Sequence, residues 1–123
     1  MKLYAPELYW ALTPEGRQEF CNGCGAKGIG WMVPEKILGL SITEICDIHD
    51  FMYAIRQTEE DREASDRVFR NNTLRLIVGK TKNKILLALR VVVALIYYAL
   101  LMLTGGPAFW AGKNEPGTEK EVT

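Results

Sequence analysis

Excess charge of either sign is missing from this chain. Fifteen basic and fifteen acidic residues give a formal net charge of +0 over 123 residues. The strong basic footprint of a nucleic-acid-binding domain is therefore absent, and no nucleic-acid partner is expected. Cysteine is scarce, at Cys21, Cys24 and Cys46. Three cysteines exclude a dense disulfide framework and leave one over from any internal pairing. There is no internal repeat, and the one compositionally biased stretch is the polar run 113–123. It is expected to be a disordered tail behind a single domain over 1–112. The opening Met1-Lys2-Leu3-Tyr4-Ala5-Pro6-Glu7 lacks the apolar stretch of a signal peptide, so synthesis in the cytoplasm is the expectation. Scarcest of all is histidine, present once as His49. No other side chain titrates unperturbed near neutral pH, so imidazole chemistry runs through His49 or not at all.

The surroundings of His49 have a helical rhythm. Cys46, His49 and Tyr53 fall three and four residues apart, the spacing of one helix face. Asp50 is offset from that face by about 100°. The predicted helix opens on Ser41-Ile42-Thr43-Glu44, a capping-box pattern, and ends near Arg56. Thr58 precedes Glu59-Glu60-Asp61, acids well placed for a helix N-terminus, and begins a second helix running toward Gly79. A third starts near Lys82 or Asn83 and runs to about Leu103, where Thr104-Gly105-Gly106-Pro107 stops it. Earlier, Thr13-Pro14 marks a short helix to about Phe20. Cys21 to Pro34 contains Gly23, Gly25, Gly28 and Gly30, which predicts a tight loop with exposed peptide groups. The expected class is all-α.

The short turn at Gln57/Thr58 makes the two central helices antiparallel neighbours. His49 and Asp66 then lie equally far from the turn, roughly 12–13 Å along each helix. A carboxylate level with the histidine can hold its tautomer and stabilise the imidazolium formed on proton abstraction. A glycine loop that turns carbonyls inward, together with Asp50, suits calcium, a hard cation that takes six to eight oxygens. Calcium polarises an ester carbonyl, and a histidine base removes a proton from water. These parts describe ester hydrolysis without a covalent intermediate.

The run Cys46-x-x-His49-Asp50-x-x-Tyr53 resembles the active-site helix of the secreted phospholipase A2 superfamily. Asn22-Gly23-Cys24-Gly25-Ala26-Lys27-Gly28 is similar to its calcium loop, and Asp66-Arg67-x-Phe69 to the segment bearing its second aspartate. The resemblance covers roughly residues 21–72. It implies a small phospholipase A2-like helical fold of the microbial type. It also implies calcium-dependent hydrolysis of a phospholipid acyl ester at the sn-2 position. On that likeness His49 is the general base, Asp66 orients it and Tyr53 supports Asp66. Asp50 is the bidentate calcium ligand, helped by carbonyls of Gly23, Gly25 and Lys27, and Cys24 pairs with Cys46. The chain departs from the family at Ile45-Cys46, where two adjacent cysteines are usual, at Lys27, where glycine is common, and in the inserted Trp31-Met32-Val33-Pro34.

Zinc is the rival. Cys21-x-x-Cys24 and Cys46-x-x-His49 supply a Cys3His set of structural-site spacing, in which His49 is a ligand and not a base. The chain would then be a zinc-stabilised binding module, or a metal-free one in which His49 is only a buried histidine bonded to Asp66.

Residues 85–103 are apolar apart from Arg90, close to the length of a membrane span. Lys80, Lys82 and Lys84 crowd the start of this segment. A core helix with an exposed apolar face at Val92, Leu95, Ala99 and Met102 is the expectation. That face would serve a phospholipid or membrane surface, or a second copy of the chain through 85–103. Such a chain is either released from the cell or membrane-associated. Tyr97 and Tyr98 are candidates for a further bond to Asp66.

Overall fold

The computed structural model describes residues 3–20, 34–110 and 113. Six helices and one hairpin make up these residues: α1 (Glu7–Trp10), α2 (Pro14–Phe20), β1 (Lys36–Ile37), β2 (Leu40–Ser41), α3 (Thr43–Ile55), α4 (Glu59–Lys80), α5 (Lys84–Thr104) and α6 (Gly106–Trp110). The architecture is mostly helical, as the apolar periodicity predicts. The glycine loop and the tail beyond Lys113 lie outside the described residues.

Most predicted boundaries fall where the chemistry puts them. Pro14 opens α2, where its fixed φ and missing N–H cost nothing. The Thr58 hydroxyl accepts from Asp61 N at 3.0 Å and caps α4. Asn83 Oδ1 accepts from Ile85 N and Leu86 N at 2.9 and 3.0 Å and caps α5.

Two details differ. The capping box at Ser41 does not form. Ser41 is the last residue of β2, its hydroxyl sits 3.3 Å from Thr43 Oγ1, and Ile42 takes the N-cap of α3 with no side-chain bond. The hairpin preempts the cap, because β1 and β2 pair antiparallel with Lys36 opposite Ser41 and Ile37 opposite Leu40. Its turn places Leu38 at φ 46° and Gly39 at φ 86°, the left-handed pair of a two-residue hairpin. The second difference is at Gly105. It caps α5 with φ −76°, a right-handed conformation, so the glycine is not there for left-handed backbone. A Cβ at Gly105 would meet Tyr53 Oη and Leu101 O at 2.6 Å each, and that close approach requires the missing side chain.

α3 and α4 form the antiparallel pair, and α5 packs along α4. One core cluster joins Ile37, Ile42, Ile45, Cys46, Phe69, Ile77, Ala94 and Leu101 across the hairpin, α3, α4 and α5. A second, built on Tyr9, Ile48, Phe51 and Met52, seats α1 on the other side of α3. The segment before α1 is held by buried Asn72, which accepts from Tyr4 N at 2.6 Å and donates to Tyr4 O at 2.8 Å. α6 returns Phe109 and Trp110 onto Tyr53. Lys113, the first residue of the expected polar tail, lays its ammonium 3.8 Å from the Phe109 ring centroid and donates to Tyr53 O.

Candidate functional site

α3 turns Cys46, His49 and Tyr53 inward, as their spacing predicts, and all three are buried. From α4, Asp66 reaches the same level. His49 Nε2 stands 2.7 Å from Asp66 Oδ1, and the Tyr53 hydroxyl donates to that oxygen at 2.6 Å. The seventeen-residue separation across a short turn delivers the aspartate to the histidine, as the register argument requires.

The cluster is dry. His49 is 7% exposed and Asp66 1%. The imidazole packs at 4.1 Å between ring centroids on Tyr53 and edge-on at 5.5 Å against Phe69. In such surroundings a carboxylate is retained only with partners. Oδ1 has two. Oδ2 accepts no hydrogen bond among the described residues, and Arg62 Nη1 stands 3.6 Å from it. Burial, and then the charge of Asp66, push the Tyr53 hydroxyl well above the usual phenol pKa, which keeps it a donor.

Arg62 is the site residue that sequence reasoning passes over, as one more charge in the solvated start of α4. Its side chain is only 13% exposed. It bonds Glu59 Oε1 at 2.8 Å and donates to the carbonyls of Leu101 and Met102 at 3.3–3.4 Å in the last turn of α5, where Leu101 O also accepts from Gly105 N. The available signal is its i,i+4 spacing to Asp66. Conversely, neither tyrosine of α5 joins Asp66. The Tyr97 hydroxyl donates to Lys36 O at 3.3 Å, and the Tyr98 ring lies beneath the Arg70 guanidinium at 5.0 Å. Both are directed to the hairpin or the far half of α4.

Asp50 follows His49 on α3 and is half-buried. A carboxylate is the donor class that calcium takes, so this residue fits the ion. Gly23, Gly25 and Lys27, the other expected ligands, lie outside the described residues. Among the described residues no three His, Cys, Asp or Glu side chains gather as a metal group. A set of one carboxylate and backbone carbonyls contains no such cluster. Cys46 is disulfide-bonded, and its expected partner Cys24 lies outside the described residues, as does Cys21. A disulfide sulfur is not a thiolate ligand, so the Cys3His zinc set requires Cys46 reduced.

Of the expected apolar face on α5, Val92, Leu95 and Met102 are exposed and Ala99 is half-buried. A groove of about 620 Å³ between the N-terminal segment and α4, lined by Leu3, Tyr4, Trp10, Met52, Val68 and Arg75 among others, includes neither His49 nor Asp66.

The chain matches no protein-family model, no curated protein and no solved structure.

Proposed function

We propose that this chain is a calcium-dependent hydrolase of the phospholipase A2 type, cleaving a phospholipid acyl ester at the sn-2 position with water as the nucleophile. The observation that carries the reading is the buried cluster of His49, Asp66 and Tyr53, with His49 Nε2 and Tyr53 Oη both on Asp66 Oδ1 at 2.7 and 2.6 Å. Committing Nε2–H to the carboxylate leaves Nδ1 with the lone pair of the neutral ring, the state a general base needs. Asp66 fixes that tautomer and offsets the positive charge as the ring takes a proton. Tyr53 holds Asp66 without competing for the proton, since its own hydroxyl stays protonated. Asp50, with carbonyls of Gly23, Gly25 and Lys27, would hold calcium. The ion, when bound, supplies a positive charge for an oxyanion.

The test is hydrolysis of phospholipid vesicles by the oxidised chain with calcium. His49→Ala is expected to reduce the rate by at least about 10³-fold, the scale of a lost base. A variant as active as the parent would refute the proposal. A second reading, a binding module without catalysis, is favoured by one observation: the His49 ring is packed between Tyr53 and Phe69 as a core residue is. It predicts that calcium changes neither hydrolysis nor thermal stability, and that His49→Ala lowers stability alone.

A further inference from the structure

α5 has two unlike sides. Its inner side packs on the hairpin and α4 through Leu87, Val91, Ala94 and Leu101. Its outer side presents Ile85, Leu89, Val92, Ile96, Leu100 and Leu103, each at least 40% exposed. Only 11% of the most apolar stretch of α5 is buried, whereas the core helix of a soluble protein is mostly covered.

Arg90, Tyr97 and Thr104 of α5 all bond within the fold. Arg90 is the one charge inside the apolar stretch. Its Nη1 donates to Thr81 Oγ1 and its Nη2 to Leu38 O, both at 2.8 Å. Tyr97 donates to Lys36 O, and the Thr104 hydroxyl folds back on Leu100 O at 2.5 Å. A protein partner tolerates polar groups at its interface, whereas hydrocarbon leaves none unsatisfied.

Charge is one-sided along the second half of the sequence. Between Glu63 and Glu115 the one acidic residue is Asp66, which is buried, while Arg67, Arg70, Arg75, Lys80, Lys82, Lys84 and Arg90 lie in that stretch. The neutral total conceals a cationic half. An apolar stripe with Lys80, Lys82 and Lys84 exposed at its N-terminal end fits an anionic lipid surface.

We infer that the outer face of α5 seats in one leaflet of an anionic bilayer, with the helix axis in the membrane plane. A crossing is the alternative that length permits, since 21 residues reach about 31 Å. The packing argues against it. α4 runs alongside α5 and exposes Glu60, Glu63, Arg67 and Arg75, charges that hydrocarbon would not admit. Only one side of α5 can be immersed. The seating rests on α5 and its surroundings and not on the hydrolase reading.

Flotation of the full oxidised chain with vesicles tests it, in EDTA so that turnover plays no part. The probes are phosphatidylcholine vesicles with and without about 30% phosphatidylglycerol, a content that gives the surface its negative potential. Binding is expected with the anionic vesicles and to be at least about tenfold weaker without them or in high salt. Ile96→Glu is expected to weaken binding by about tenfold or more while the circular dichroism melt stays unchanged, because Ile96 is 52% exposed and belongs to no core cluster. Replacing Lys80, Lys82 and Lys84 together by Gln should reduce binding to anionic vesicles only. Release by alkaline carbonate supports in-plane seating, and resistance to it, as for a spanning helix, would overturn it. So would a chain that ignores both vesicle types but forms a dimer that Ile96→Glu dissolves, since the face then belongs to a second copy.

Discussion

Replacing Tyr53 by Phe removes one oxygen and little else, which makes it the cleanest perturbation of the buried cluster. The lost bond runs at 2.6 Å to Asp66 Oδ1 in a residue that is 8% exposed. A hydrogen bond to a charged group contributes about 1.5–3 kcal/mol. The lower part of that range applies, because Asp66 keeps His49 at 2.7 Å and the neighbouring Arg62 charge, so the carboxylate is not orphaned. The ring contacts to His49 and Phe109 survive in phenylalanine. A loss of about 1.5–2 kcal/mol follows. At about 2.1 cal/mol/K per residue, this length gives an unfolding entropy near 0.26 kcal/mol/K, so the midpoint should fall by about 6–8 °C. The assay is thermal and urea unfolding by circular dichroism at pH 7 without reductant, paired with a double-mutant cycle against Asp66→Asn. Coupling of at least about 1 kcal/mol is expected between the two sites. A midpoint shift below about 2 °C, or no coupling, would show that the tyrosine does not hold the aspartate, and the support assigned to it would fall.

Two further outcomes follow from the same oxygen. Gly105→Ala would put a Cβ 2.6 Å from both Tyr53 Oη and Leu101 O, and is expected to cost about 1–3 kcal/mol in urea unfolding. In the Tyr53→Phe background that cost should shrink without vanishing, since the backbone oxygen remains. Tyr53 also sets an alkaline signature. Its folded pKa is raised above the unfolded value of about 10, so its contribution is complete below pH 10 and is lost as pH rises toward the folded pKa. The slope is about 1.4 kcal/mol per pH unit for such a tyrosine. The stability gap between the parent and Tyr53→Phe should therefore narrow from pH 10 to pH 11. A gap that widens would contradict the assignment.

The elements that were legible in the sequence rest on local chemistry. Thr58 and Asn83 cap helices because their side chains reach N–H groups two or three residues on, and both fall at the expected starts. The pairing of His49 with Asp66 was legible because a short turn and a fixed rise per residue leave little freedom in register. What stayed hidden depends on contacts far apart in sequence. Arg62 reads as a surface charge until α5 arrives, thirty-nine residues later, and brings two carbonyls against it. The hairpin ending at Ser41 was hidden because Leu38 takes a left-handed position that its residue type does not advertise, and so the Ser41 cap was misread. Tyr97 and Tyr98 face elements that helical periodicity alone could not tell from Asp66. The glycine-rich segment expected to bind calcium lies outside the described residues, so its expected ligands belong to the proposal.

Arg62 places three things within the reach of one guanidinium: Glu59 at the start of α4, the last carbonyls of α5, and the free oxygen of Asp66. The apolar helix α5 and the histidine pair are thus not separate provinces of the molecule. A tilt or slide of α5 must either carry Arg62 with it or strip bonds from it. In both cases the charge beside Asp66 shifts. A load applied to the outside of the protein, at Leu100 or Leu103, would arrive at the buried carboxylate through Arg62, and through Gly105 against the Tyr53 hydroxyl.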